Sequence, residues 1–409
     1  MLVQYLAVRV SCTPKSLQAA RVGLASCRSG SESSNHIMSV ALLIAAISAL
    51  LLLGTWLLYP LVAVLTARLK PRAARSARGW QPRVTVILAS REAVDPIRER
   101  VSNILEADYP PHLLDVVVGL ERGCGTNPDD IAVSRVRVVL GDEPGGKACN
   151  LNAAVREADG EVLVFTDTYQ RFASDTISLL VEDLSDDRFG AVSGALILPG
   201  EQVGRTTLVE RYWQLERVLR EAEAVTSSTV GVTGAVYALR KDLWSPLPPG
   251  LILDDLFVPM RVVLAGRRVG FVRDALAFDT REAAPGREYG RKVRTLTGNF
   301  QLCAWLPAVL VPGRNPIWWR FVWHKLMRLA TPFLCAMLLL SLLVAVSMWR
   351  PNIVLLLCVL LAASALLIAW APTRTLARLR DTARWGVAMQ AAAVSAAIRG
   401  LRGQWDVWQ

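Results

Sequence analysis

Long uncharged stretches alternate with a block of short apolar runs along this chain. Residues 39–67, 329–349 and 351–373 contain no charged side chain and are rich in apolar residues. At about 1.5 Å per helical residue, each stretch can cross roughly 30 Å of hydrocarbon, so the pattern predicts three transmembrane helices. Residues 385–398 are also uncharged but few, which leaves a short transmembrane helix and an interfacial helix as alternatives.

The block over residues 80–310 shows a different pattern, typical of one large α/β domain. Continuous apolar strands alternate there with amphipathic helices, an order that indicates a sheet covered on both faces. The pattern predicts a Rossmann-like, mostly parallel sheet with ligands at the carboxyl ends of its strands. Strands are predicted at 84–88, 115–118, 136–140, 161–165 and 190–196, and helices at 96–105, 148–158, 175–184 and 256–264.

The net charge of +11 is concentrated beside the apolar stretches. Six bases and no acid lie between residues 66 and 83, and four bases and no acid lie between residues 311 and 328. Because positively charged loops face the cytoplasm, we expect an inner-membrane protein with a cytoplasmic central domain. Anionic lipid explains these bases better than nucleic acid does. Residues 312–328, which are aromatic and basic, predict an interfacial amphipathic helix.

Residues 1–37 are rich in serine and arginine and have no clear core pattern. They indicate a leader, a disordered arm, or a segment that is not translated, with Met38 as the start. The seven cysteines are scattered without a CxxC pair, and the chain has only three histidines. This shortage argues against a zinc site and against a Ser-His-Asp hydrolase.

A glycine-rich turn supplies the first candidate chemistry. Gly145-Gly146-Lys147 stands between a predicted strand and a predicted helix, and Asp167 follows the strand at 161–165. A turn of this kind beside a strand-end acid can hold a nucleotide diphosphate and its metal. A P-loop NTPase is an alternative, although Ala148 stands where the P-loop needs a hydroxyl.

Two further pairs of charged residues follow in the same block. Asp254 and Asp255 open a predicted helix, where capping is the alternative to catalysis. Arg291 and Arg294 lie one helical turn apart, where a solvated basic face is the alternative to phosphate binding. Taken together, the acids and bases suit nucleotide-sugar transfer, which needs a metal-binding acid, cations for the leaving phosphate and a base for the acceptor.

Five ordered motifs resemble those of the membrane-anchored family 2 glycosyltransferases, relatives of hyaluronan, chitin, cellulose and poly-N-acetylglucosamine synthases. The resemblance runs from about residue 84 to residue 301 and extends into the flanking apolar stretches. The motifs are Gly-Gly-Lys147-Ala-Cys-Asn-Leu-Asn, Phe-Thr-Asp167, Gly231-Val-Thr-Gly234-Ala235, Leu-Asp254-Asp255 and Arg291-Lys-Val-Arg294.

The resemblance implies a GT-A fold and inverting transfer from a nucleotide-sugar, with a UDP-sugar the expected donor. The expected acceptor is a membrane lipid or a glycan, at the cytoplasmic face. Asp255 would be the general base, and Asp167 would hold Mg²⁺ or Mn²⁺. Donor binding is expected at Ala89, Glu121, Lys147, Asp167, Arg291 and Arg294, and the acceptor site at Gly234, Ala235 and Asp254.

The chain departs from the family pattern at several positions. Glu92-Ala93-Val94 replaces the usual Asn-Glu-Glu, Thr168-Tyr169 follows the metal-site acid, and Thr295 replaces a tryptophan. Glu121 and Gly125 stand at two acidic positions of a nucleotide-contacting stretch. These changes put processive synthesis and the donor nucleotide in doubt, and they motivate a second hypothesis of a catalytically silent binding or assembly protein.

Overall fold

The computed structural model describes residues 35–71, 79–202, 208–281, 288–350 and 374–406. The predicted span 351–373 and residues 1–34 of the predicted leader lie outside these ranges. The described residues fall into two compact units, one within 1–52 and 333–380 and the other within 53–332 and 381–409.

The second unit contains an eight-stranded mixed sheet in the order β3-β2-β1-β4-β7-β6-β8-β5. Strands β1 to β4 pair in parallel, whereas β7 and β5 run antiparallel to their neighbours. The α/β prediction is confirmed, but the parallel order covers only part of the sheet. The strands are Val84–Ser90, Leu114–Leu120, Val136–Leu140, Val162–Thr166, Gln170–Phe172, Phe189–Ile197, Tyr237–Arg240 and Arg268–Asp279, numbered β1 to β8.

Alternation along the parallel strands places a core on each face of the sheet. Ile87 and Val117 pack on one face, and Val86 and Val116 pack on the other. Gly119 is required on β2, because a Cβ there would lie 2.2 Å from the backbone oxygen of Asn150. This close approach fixes the helix that follows the glycine-rich turn against the sheet.

Nine helices are used below, numbered in chain order. They are α1 (Asn35–Leu69), α2 (Val94–Leu105), α3 (Lys147–Arg156), α4 (Thr176–Leu184), α5 (Leu208–Thr226), α6 (Asp254–Leu264), α7 (Glu288–Trp305), α8 (Trp318–Trp349) and α9 (Arg374–Leu401). Within the described ranges, α1 and α8 are long and apolar enough to cross a membrane, by length and composition.

The segment 312–328 differs from the predicted separate helix. Residues 312–317 form turns, and α8 begins at Trp318 and continues to Trp349. Pro312, Gly313 and Pro316 explain the late start, because proline and glycine interrupt helices. The segment 385–398 is not a separate helix. It lies inside α9, which begins at Arg374 and includes the charged residues before the segment.

Candidate active site

A cavity of about 430 Å³ opens at the carboxyl ends of β1, β2 and β4. Its position is the one expected for ligands of an α/β sheet. Five of the predicted donor-binding residues line it: Ala89, Glu121, Lys147, Asp167 and Arg294. The other lining residues are Ser90, Arg91, Glu92, Gly146, Asn150, Thr168, Tyr169 and Arg281.

Glu121 braces the glycine-rich turn from the end of β2. Its carboxylate accepts hydrogen bonds from the Gly146 N–H at 2.9 Å and from the Asn150 side-chain amide at 2.6 Å. Gly145 and Gly146 have φ values of 97° and 90°, which L side chains rarely adopt. The turn therefore depends on both glycines and on Glu121, and it delivers Lys147 to the first position of α3.

Lys147 joins the two acidic motifs. Its Nζ lies 3.1 Å from Asp167 Oδ1 and 3.3 Å from Asp254 Oδ1. Burial alone would lower the pKa of Lys147, but Asp167, Asp254 and Asp255 raise it above its ordinary value. The ammonium is thus charged and ready to bind phosphate. Ala148 is buried beside it, and the turn follows the third strand, so the NTPase alternative has no support here.

Asp254 and Asp255 are the first two residues of α6. Leu253 occupies the N-cap position, and no side-chain capping bond is formed, so capping does not explain the pair. Burial raises the pKa of Asp255 to about 6, and repulsion from Asp254 adds to this, while Lys147 and Arg220 oppose the shift. A carboxylate of this kind can accept a proton near neutral pH, which general base catalysis requires.

The loop Gly231–Ala235 packs directly on Asp255. The Val232 N–H donates to the Asp255 backbone oxygen at 3.0 Å. A Cβ at Gly234 would lie 3.1 Å from the Asp255 Cβ, a separation tighter than most real contacts. The Thr166 hydroxyl donates to the Ala235 carbonyl at 2.9 Å, which ties the loop to the end of β4. The predicted acceptor residues and the predicted base therefore lie side by side.

The two arginines of α7 have different surroundings. Arg294 lines the cavity, and burial lowers its pKa, although Asp255, Asp254 and Asp167 oppose that shift. Arg291 is exposed and does not line the cavity. Thr295, which stands where the family pattern has tryptophan, is exposed and donates from its hydroxyl to the Arg291 carbonyl at 2.9 Å.

Sequence reasoning missed a contact between two of the departures from the family pattern. The Tyr169 hydroxyl donates to Glu92 Oε2 at 2.8 Å, inside the cavity. The Arg281 guanidinium lies 5.0 Å from the centre of the Tyr169 ring. Glu92 and Tyr169 are 77 residues apart, so no local spacing could have paired them.

Tyr237 was missed as well, because it lies in the middle of an apolar strand. Its hydroxyl is buried without a hydrogen-bond partner among the described residues. Burial raises the pKa of Tyr237 well above its ordinary value, and Asp254, Asp255 and Asp167 add to the effect. The phenol is therefore a protonated donor beside the three acids.

The acids fit a divalent metal only together with a bound diphosphate. Asp167 presents a partly exposed carboxylate to the cavity, and the ammonium of Lys147 contacts one of its oxygens. Within the described residues, no group of three or more His, Cys, Asp or Glu side chains gathers as a ready-made site. Mg²⁺ commonly takes one or two protein carboxylates and completes its shell with phosphate and water, so this donor set is sufficient.

Comparison with known proteins bears on the family and the fold of the chain. Residues 129–244 match the family described as Glycosyl transferase family 2. A mannosyltransferase from Pyrobaculum calidifontis, solved in complex with GDP-Man and Mn²⁺, is 26% identical with a TM-score of 0.63. The alignment covers 88% of this chain and 99% of that one. No curated protein sequence gives a significant match.

Two further solved structures are more distant. GalNAc-T7 with UDP, GalNAc and Mn²⁺ is 12% identical over 55% of this chain and 48% of its own, with a TM-score of 0.39. S. aureus TarS is 15% identical over 55% of this chain and 43% of its own, with a TM-score of 0.37. The predictions of family, fold and enzyme class are confirmed. The chain carries a Glycosyl transferase family 2 domain with a GT-A fold, and it is a glycosyltransferase.

Proposed function

We propose that the protein transfers a single sugar, with inversion, from a nucleoside diphosphate sugar to a hydroxyl of a lipid-linked or polysaccharide acceptor at the cytoplasmic face of the inner membrane. The observation that carries this proposal is the position of Asp255. It is a carboxylate with a pKa of about 6, packed against the loop Gly231–Ala235 and next in the chain to Asp254, which contacts Lys147.

In the proposed reaction the acceptor hydroxyl attacks the anomeric carbon of the donor sugar. Its proton passes to the Asp255 carboxylate, the new C–O bond forms, and the bond from the anomeric carbon to the phosphate oxygen breaks. The nucleoside diphosphate leaves with the electron pair of that bond. One base on the side opposite the leaving group makes a single displacement, which inverts the anomeric centre.

The donor diphosphate is assigned to the cations of the cavity. Lys147 and Arg294 both line it, and Lys147 starts α3, where the helix dipole also favours an anion. Asp167 would hold Mg²⁺ or Mn²⁺, which would neutralise charge on the diphosphate when bound. Arg291, exposed on α7, is kept as a donor contact in this proposal, because a side chain one turn from Arg294 can reach a bound nucleotide.

Membrane attachment is assigned to α1 and α8. Their length and apolar composition support this role, and so do the bases that follow α1 and precede the uncharged part of α8. The acceptor would then reach Asp255 from the membrane surface.

The test is nucleotide release by the full chain in lipid nanodiscs. UDP-, GDP- and dTDP-sugars are compared with Mn²⁺ or Mg²⁺ and a crude membrane lipid extract. A UDP-sugar is the donor that the sequence motifs favour, and GDP-mannose enters the panel because the Pyrobaculum mannosyltransferase was solved with it. We expect one donor to turn over and Asp255→Asn to abolish that turnover. Donor binding without turnover in any lipid extract would instead support the silent binding protein.

A further inference from the structure

A buried cluster of charged side chains lies where α1, α5 and α8 meet. We call it the helix cluster. His324 stands at its centre, with Nε2 2.7 Å from Glu216 and Nδ1 2.8 Å from Glu223. The Tyr59 hydroxyl donates to Glu223, and Arg328 donates to Glu216 at 2.8 Å.

Two glutamates hold the two ring nitrogens of His324. Burial alone would raise the pKa of Glu216, but His324 and Arg328 lower it well below its ordinary value. The pKa of Glu223 is lowered as well, against burial, by His324 and Tyr59. Both glutamates are therefore ionised and can only accept hydrogen bonds.

Positive charge exceeds negative charge in the helix cluster. Within the described part of the chain, two carboxylates, Glu216 and Glu223, face four cations without counting His324. Counting Asp255 as a third carboxylate does not balance them. Uncompensated charge in a low-dielectric interior is costly, so a surplus of cations indicates that an anion belongs there. The cations are Arg220, Arg320, Lys325 and Arg328.

Lys325 and Arg220 are the cations whose side chains still have hydrogen-bond donors available for a ligand. Lys325 is partly buried, and its side-chain ammonium has no hydrogen bond or ion pair with any residue that the structure describes. Arg220 reaches Glu216 at 3.4 Å and the Thr233 hydroxyl at 3.2 Å, which leaves guanidinium donors over. Thr233 precedes Gly234, the residue packed on Asp255. Both cations also act on the Asp255 carboxylate, so they lie near it.

The position of Lys325 along α8 indicates what the anion is attached to. It lies four residues before Leu329, where the uncharged stretch of the candidate span begins. A cation at that level meets the headgroup depth of a bilayer. We infer that the acceptor is a phosphate-bearing lipid, and that Lys325 and Arg220 bind its phosphate beside the hydroxyl that Asp255 deprotonates. This inference rests on the proposed function and names its acceptor class.

The test measures binding of a matched pair of probes to the full chain in phosphatidylcholine nanodiscs. Farnesyl phosphate and farnesol share one chain and differ in the phosphate, and inorganic phosphate reports on a free anion. We expect the wild type to bind farnesyl phosphate at least about tenfold more tightly than farnesol, the size of one charge-assisted contact. Lys325→Met should lose most of that preference, and Lys325→Arg should keep it.

Arg314→Met is the matched control, because it removes an exposed base from the turns that precede α8. It should keep the preference for farnesyl phosphate. A second readout is thermal stability without ligand. Removing the surplus charge should raise the melting temperature of Lys325→Met above that of the wild type, whereas loss of a purely structural lysine would lower it.

Equal affinity for the two probes in the wild type, or an unchanged preference in Lys325→Met, would overturn the inference. So would binding of inorganic phosphate as tight as that of farnesyl phosphate, because the site would then serve a free anion. A glycosyltransferase that turns over a donor but ignores the phosphate probes contradicts only the acceptor class. Loss of turnover with every donor contradicts the proposed function itself.

Discussion

The cavity and the helix cluster both lie near Asp255, the proposed general base, yet they are built differently. In the cavity, Lys147 pairs with Asp167 and Asp254, and Glu121 pairs with the turn that presents Lys147. In the helix cluster, contacts join residues as far apart as Tyr59 and Glu223, 164 positions in sequence. The charged side chains of the cavity are close to balance, and the proposed ligand there is a metal-diphosphate. The helix cluster keeps a surplus of cations that protein carboxylates do not cancel.

This difference explains what could be predicted from sequence. The cavity residues follow strands or open helices within short motifs, so the sequence alone predicts the positions of Lys147, Asp167 and Asp255. Arg220 and His324 stand in unremarkable helical stretches and gain meaning only when three helices meet. Strands β5, β7 and β8 were also missed, since β5 and β7 are short and β8 carries Arg268, Arg273 and Asp274.

The largest expected effect is the loss of stability when the helix cluster is disrupted. Glu216→Gln removes the carboxylate that His324 and Arg328 share and increases the surplus of buried cations. Breaking a buried pair in this way costs about 3–5 kcal/mol. Guanidinium denaturation in detergent, followed by tryptophan fluorescence, measures the free energy of unfolding.

Glu221→Gln on the same helix is the control for that change. Glu221 pairs with Arg273 at 3.2 Å, and the arginine side chain is 62% exposed. Exposed pairs contribute about 0–1 kcal/mol, so this variant should unfold almost as the wild type does. Equal losses in the two variants would mean that the helix cluster is no more than another surface network.

The next effect tests the cavity. Lys147→Met removes the ammonium between Asp167 and Asp254, leaving two acids to repel an incoming diphosphate. A charged hydrogen bond contributes about 1.5–3 kcal/mol, so the donor nucleotide should bind roughly 10- to 100-fold more weakly. Isothermal titration calorimetry with UDP and GDP measures this affinity. Arg156→Gln, on the same helix but paired only at the surface with Asp142, should bind nearly as the wild type.

A pH profile tests Asp255, the residue that lies near both the cavity and the helix cluster. The base must be ionised, so kcat/KM should rise with pH, reach half its plateau near pH 6, and fall about tenfold per unit below that. The contribution of Asp255 to folding stability should instead decrease as pH rises. The folded pKa lies above the ordinary value of 3.8, so this contribution to folding is present below pH 3.8 and is lost as pH rises towards 6. Asp255→Asn should remove that dependence. A flat rate profile between pH 5 and 7 would exclude Asp255 as the base.

The smallest effect concerns the loop that both regions touch. Gly234→Ala adds a Cβ 3.1 Å from the Asp255 Cβ, so Asp255 must move by a few tenths of an ångström. This displacement should lower kcat about 3- to 30-fold, because catalysis depends on the placement of the base. Donor affinity should not change, since Gly234 does not line the cavity. Gly290→Ala is the matched control, with open space around its Cβ on α7. It should keep full activity and gain roughly 0.5–1 kcal/mol of stability from helix propensity. If Gly234→Ala weakens nucleotide binding as much as turnover, the loop belongs to the donor cavity, and the division between the two regions at Asp255 is wrong.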